Sequence, residues 1–191
     1  MDSFQMLDKR KAIIKTTWEY LLRKGLANAS VGDLCRETKL AQSSLYYWFE
    51  NKDDIWISAG KYGLSTVVDK LFVFTLEHTK SLREYFDTLL REIDKYKDEL
   101  RCVIQITVSP VFGERMRETM KEFNDSYADF AKQLMEIFDC AFDLAEIFIY
   151  TTLSAIIDYV VWEDGEKTQM LLDNLYQQMI KDLRAVETEK R

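Results

Sequence analysis

A single proline, Pro110, and six glycines are all that interrupt 191 residues. Proline breaks helices and glycine weakens them, so a chain this poor in both has little means of ending helices early or of making the tight turns that hairpins need. The expectation is an all-α protein. The length suffices to bury one large or two small cores. With 47% hydrophobic and 31% charged residues, disorder is expected only at the tails.

Charge is unevenly distributed. Nine Lys/Arg face eight Asp/Glu in residues 1–60, whereas 17 face 25 in the remainder, which gives the net −7. A near-neutral head on an acidic body suits a protein that meets a polyanion with one end, because local charge governs phosphate contacts. Cys35, Cys102 and Cys140 are odd in number and lack metal-ligand spacing, so buried reduced thiols are expected. The first residues, MDSFQMLDKRKAIIK, hold no apolar run of the kind a signal peptide needs. The longest apolar stretch, 144–162, is broken by Glu146, Thr151, Thr152, Ser154 and Asp158. It therefore reads as a core helix rather than a membrane span. The expected compartment is the cytoplasm, with no membrane partner.

Residues 30–55, SVGDLCRETKLAQSSLYYWFENKDDI, hold the most specific pattern. They follow a first helix over 6–24, with Ile13, Thr17, Tyr20, Leu21 and Lys24 on one face and Gly25 as C-cap. Lys9, Arg10, Lys11 and Lys15 on that helix form either a solvated face or phosphate contacts. Ser30 opens a second helix as N-cap of the box-like S-x-x-D run Ser30–Asp33. A turn at Lys39-Leu40-Ala41 leads to a third helix over 42–48, which Leu40, Leu45 and Phe49 pin to the core. Gln42, Ser43, Ser44 and Tyr47 then face outward, with Tyr46 at the flank. Glutamine can pair bidentately with adenine, serine can bond several bases, and tyrosine reaches phosphate or thymine methyl groups. Asn51 caps the next helix, Asp53 and Asp54 complement its dipole, and Lys52 is placed for a phosphate.

The slots Gly25, Leu34-Cys35, Thr38-Lys39-Leu40-Ala41, Leu45-Tyr46-Tyr47-Trp48-Phe49 and Lys52 resemble the DNA-binding segment of the tetracycline-repressor (TetR) family. The resemblance is carried by about thirty residues. It implies a three-helix helix-turn-helix domain over 1–51 and a larger helical effector-binding and dimerisation domain over 52–191. It also implies DNA contacts from Ser30, Lys39, Gln42, Ser43, Ser44, Tyr46, Tyr47 and Lys52. Two positions depart from the family pattern. Lys39 stands for the usual turn glycine, at up to ~1 kcal/mol if left-handed, and Ala41 for a capping serine worth ~1 kcal/mol.

Beyond residue 55 the pattern is coarser. A long helix from Lys52 towards His78 contains Gly60 and Gly63, which mark an expected soft spot. Leu82, Phe86, Leu89, Ile93 and Tyr96 predict a helix over 81–97. The stretch VIQITV at 103–108 is read as helix because a lone strand has no partner. Ser109-Pro110 reads as a helix start. One helix over 113–139 is expected from Met116, Met120, Phe123, Tyr127, Phe130, Leu134 and Phe138. The next, 142–162, is apolar nearly all round, and a last one covers 166–186.

Covering so much apolar surface calls for a homodimer, with Ile149, Leu153, Ile156, Leu172, Leu175, Tyr176, Met179 and Leu183 as interface. Aromatic side chains in the body could instead line an effector pocket, with Phe86, Phe123, Tyr127, Phe148, Asp158, Tyr159 and Trp162 as candidates and Asn124 as a further polar group. His78, the sole histidine, suits a surface or capping role. No nucleophile–base set, paired acids or phosphate loop stands out, so neither catalysis, cofactor nor metal is expected. The expected function is a one-component transcriptional regulator that binds a palindromic operator on double-stranded DNA and is released by a small hydrophobic or aromatic effector. Two alternatives stay open: a DNA-binding protein without a small-molecule effector, and a helical ligand-binding protein that has lost DNA affinity.

Overall fold

The computed structural model describes residues 3–78, 80–122 and 124–189, and every regular element among them is helical. Helix α1 (Ser3–Lys24) ends at Gly25, whose φ of 75° closes the helix through its amide to the Leu21 carbonyl at 2.8 Å. A short 3₁₀ turn leads to α2 (Val31–Thr38), then α3 (Gln42–Leu45) and the long α4 (Lys52–Glu77). There follow α5 (Leu82–Asp94), α6 (Lys97–Val108), α7 (Gly113–Glu122), α8 (Asn124–Phe138), α9 (Phe142–Trp162) and α10 (Gly165–Glu189).

The ambiguous VIQITV stretch is thus the end of α6. Ser109 caps a turn, accepting from the amides of Val111 and Phe112 at 3.2 and 3.3 Å, and α7 starts only at Gly113. The stretch 113–139, expected as one helix, is helical on both sides of position 123, as α7 and α8. Phe123 itself lies outside the described residues, as do the side chains of Met120 and Asn124.

Packing divides the chain into two compact units, residues 1–68 with 98–121, and residues 69–97 with 122–191. The first is built on α1, α2 and α3, with Tyr20, Leu21, Leu34, Leu45, Ile55 and Trp56 almost wholly buried. Here the two glycines of α4 have a packing reason. A methyl group at Gly63 would lie 2.4 Å from the Trp18 ring, and one at Gly60 would lie 3.0 Å from Ile106 Cδ1. The expected soft spot is where a buried indole lies directly on the helix backbone.

In the second unit α9 packs on α8 and α10, and α10 on α5. Helix α9 is long and apolar enough to cross a bilayer by length and composition. Eight of its residues, Phe148 and Ile156 among them, are buried against protein, as a core helix requires. His78 Nδ1 lies 2.8 Å from the Phe74 carbonyl near the end of α4, a local capping contact. Cys102 is buried, Cys35 and Cys140 half-buried, and all three are free thiols. Burial pushes the Cys102 thiol up to about 11, so it stays protonated.

Candidate DNA-binding interface and body cavity

The head is held from within by a few strong contacts. Ser30, in extended geometry, accepts from the Asp33 amide at 3.1 Å and caps α2, while its own amide donates to the Tyr20 hydroxyl at 2.9 Å. Ser30 is therefore fixed to α1 as well as to its own helix. Tyr20 in turn stacks on Trp56 of α4. Lys39 ends α2 in the left-handed region, φ 56°, and the next amide, of Leu40, returns to the Cys35 carbonyl at 3.2 Å. The lysine occupies the conformation that glycine would take at lower cost, with its side chain in solvent.

Ala41 starts α3 with no side-chain cap. The helix proper is one turn, but the amides of Tyr46 and Tyr47 still reach the carbonyls of Gln42 and Ser43 at 3.1 and 3.2 Å. Leu45 is wholly buried and Phe49 nearly so. That anchoring leaves Gln42, Ser43 and Ser44 exposed, with Tyr47 67% and Tyr46 39% exposed. Lys52 is exposed at the first position of α4. Its helix is capped reciprocally: Asn51 Oδ1 accepts from the Asp54 amide at 2.9 Å, and Asp54 Oδ2 accepts from the Glu50 amide at 3.2 Å.

Sequence reasoning did not foresee the part of Arg10. Its guanidinium donates to the Trp48 carbonyl at 3.2 Å and to Ser58 Oγ at 3.3 Å, and lies 5.0 Å from the Phe49 ring centre. It ties the residues after α3 to α1 and is spent inward, unlike the exposed Lys9, Lys11 and Lys15. The break in the basic run, one arginine among lysines, was the available signal, since a planar fork suits a carbonyl and an aromatic face together.

In the body, a small cavity of about 30 Å³ lies among α4, α5, α8 and α9. Among the described residues, Phe148 alone of the expected effector residues lines it. Phe86 is wholly buried and packs edge-on against Phe148 and Tyr176. Tyr127 is half-buried, edge-on to Phe72, and burial raises its phenol pKa, with a smaller push from Tyr150. Tyr159 is spent on structure: its hydroxyl donates to Asp94 Oδ1 at 2.7 Å and Lys97 lies over its ring. Asp158 is half-buried, 3.7 Å from Lys167, in a groove shared with Tyr150 and Leu171. Trp162 is 71% exposed.

The cavity's polar groups are three hydroxyls that periodicity alone did not single out, those of Thr75, Tyr85 and Thr152. The buried threonines Thr17, Thr75 and Thr168 each donate to the carbonyl four residues back at 2.8–2.9 Å. Thr152 is equally buried in a helix, yet among the described residues its hydroxyl has no hydrogen-bond partner. An unmet buried hydroxyl is destabilising, so Thr152→Val should raise stability by about 1 kcal/mol, or about 2–4 °C in Tm. A fall of that size in a thermal melt would mean the hydroxyl is structural.

Four of the expected interface residues, Ile149, Ile156, Leu172 and Met179, are buried within the protomer, and Leu153, Leu175, Tyr176 and Leu183 are half-buried. The apolar side chains left in solvent on α9 include Ile147, Tyr150, Ile157 and Val161, spaced at helical intervals, with Met170 and Leu171 on α10. Each is between 41% and 58% exposed. Among the described residues no three His, Cys, Asp or Glu side chains gather where they could hold a metal ion.

Residues 13–59 match the family model described as bacterial regulatory proteins, tetR family. Over these residues the chain is similar to the tetR family, and the matched segment spans α1 from Ile13, both helices of the turn and the first residues of α4. The chain is similar to the HTH-type transcriptional regulator PksA of Bacillus subtilis (strain 168), 22% identical over 135 residues, which are 71% of this chain and 57% of that protein. It thus spans little more than half the length of that relative.

Two solved structures share the fold. One is described as a fatty acid metabolism regulator of Clostridium perfringens, with TM-score 0.54 and 14% identity over 90% of this chain and 97% of that one. The other is the transcriptional regulator FadR of Bacillus subtilis in complex with stearoyl-CoA, with TM-score 0.54 and 15% identity over 87% and 95%. Beside them, the TetR-type head of this chain is joined to an all-helical body of the same architecture.

Proposed function

We propose that the chain is a one-component transcriptional regulator, a repressor that binds a palindromic operator as a homodimer and releases it on binding a small hydrophobic or aromatic effector. In this reading it is a non-catalytic, cytoplasmic protein, with residues 1–51 as the DNA-binding segment and 52–191 as the effector and dimerisation segment. The observation that carries it is the exposure of Gln42, Ser43, Ser44 and Tyr47 on a short helix whose other side, through Leu45, is locked into the head. A rigid helix with small polar residues at its start can enter a major groove. There Gln42 reads a base edge while Ser30, Lys39, Tyr46, Tyr47 and Lys52 hold phosphates.

The exposed apolar face of α9 and α10 supports self-pairing, because a face of this composition is unfavourable in water and two copies cover each other. Two heads then meet two half-sites. The effector acts by binding two arrangements of the dimer unequally, with α4 as the helix that contributes residues to both compact units.

A direct test uses Lys52→Ala. If Lys52 holds a phosphate, operator affinity should fall about equally for every bound sequence, and the slope of log affinity against log salt should drop by about one per protomer. An unchanged slope would remove Lys52 from the interface. A regulator without a small-molecule effector is the second reading. The small size of the body cavity, about 30 Å³, favours it, since an effector must widen that space before entering.

A further inference from the structure

The body cavity joins two properties that a merely packed core does not need. Its lining carries no charged side chain among the described residues, only aromatic and aliphatic groups and the three hydroxyls. The hydrogens of those hydroxyls are unevenly spent. Thr75 donates to the Leu71 carbonyl at 2.8 Å, so towards Tyr85, 3.5 Å away, it has only a lone pair to offer. The Tyr85 phenol has that long contact and faces Thr152, whose own hydroxyl has no partner at good hydrogen-bond geometry among the described residues. Two buried hydroxyls therefore meet beside an apolar space with only weak contacts on which to spend their O–H groups.

Resting on the reading of the body as an effector domain, we propose that Tyr85 and Thr152 are the polar anchor for an uncharged, largely apolar effector with one hydrogen-bond-accepting oxygen, as in a ketone or an ester. The donor character of the site is durable. Burial pushes the Tyr85 phenol up to about 12, with Thr75 and Thr152 pulling it only partly back, so it remains an O–H at any physiological pH. A carboxylate or phosphate placed here would be buried with no counter-charge in the lining, which is far costlier than burying a carbonyl that accepts two hydrogen bonds. Phe72 and Leu153 are the half-buried members of the lining and mark the way in. At about 30 Å³ the space is far smaller than such an effector, so binding is coupled to displacement of these side chains.

Three probes of similar shape separate the possibilities: acetophenone, ethylbenzene and benzoate, titrated calorimetrically into the full chain, with carbonyl-¹³C acetophenone followed by NMR. Acetophenone should bind about tenfold more tightly than either of the others, since a site built to donate hydrogen bonds discriminates against a ligand that lacks the acceptor. Its carbonyl resonance should move downfield on binding. Tyr85→Phe and Thr152→Val should each remove most of that preference while leaving ethylbenzene affinity unchanged. Equal affinities for the three probes, a preference for benzoate, no binding of acetophenone up to its solubility, or a preference that survives both substitutions would overturn the inference. DNA retardation on the same preparations keeps it apart from the reading it rests on. Retarded DNA without ketone preference overturns the anchor alone, whereas ketone preference without retarded DNA upholds the anchor and counts against the regulator.

Discussion

Gly63→Ala should destabilise the protein by about 2 kcal/mol or more, lowering Tm by roughly 5 °C, although alanine is the better helix former by about 1 kcal/mol. The two effects have opposite signs, and geometry decides between them. The added methyl would sit 2.4 Å from two carbons of the Trp18 ring and 2.6 Å from a third. The indole is rigid and 5% exposed, so it cannot turn away as the end of a flexible chain could. Either the ring or α4 must shift, and both belong to the core of the first unit. Gly60→Ala makes the useful contrast, because its methyl would meet the tip of Ile106 at 3.0 Å, a group able to give by a few tenths of an ångström. Were Gly63 only a flexible joint, alanine there would stabilise. A thermal or urea melt of the two variants reads the sign directly.

Ile157→Asp should separate the proposed dimer and with it abolish tight operator binding. Ile157 is 52% exposed and lies between Tyr150 and Val161 on the outward stripe of α9. In a two-fold interface every substitution counts twice. Losing the burial of two isoleucines and burying two like charges should raise the dimer dissociation constant by roughly a thousandfold or more. Because the site is exposed in the protomer, the variant should fold normally. Sedimentation should therefore show a folded monomer, and gel retardation should show only weak, salt-sensitive binding. An Ile157→Asp protein that remains dimeric would place the interface elsewhere.

The head was legible in the sequence because its signals are local. A cap such as Ser30–Asp33 or Asn51–Asp54 is a contact between residues three apart, and Gly25 or Lys39 at a helix end is a statement about one φ angle. The body was legible as helices but not as faces. Helix α9 carries Ile147, Ile149, Ile156, Ile157 and Val161 around its whole circumference, so periodicity cannot tell Ile149, buried, from Ile147, exposed. Which side faces inward is set by contacts with α8 and α10, distant in sequence. The cavity hydroxyls were hidden for a related reason: Thr75, Tyr85 and Thr152 sit among apolar neighbours on three helices and converge only in space. In the sequence Arg10 is one charge among several, because its partners, Trp48 and Ser58, lie 38 and 48 residues away.

Everything functional depends on α3 reading base edges, and selection of bound duplexes from a randomised library, run with the wild type and with Gln42→Ala, tests that most directly. The account predicts an inverted repeat whose half-site centres lie about one or two helical turns apart, each turn about 34–36 Å. It further predicts that Gln42→Ala loses preference at one symmetric pair of positions, at about 1–3 kcal/mol each, while the rest of the motif persists. No enriched motif even at low salt, or the same motif at full strength from both proteins, would contradict it.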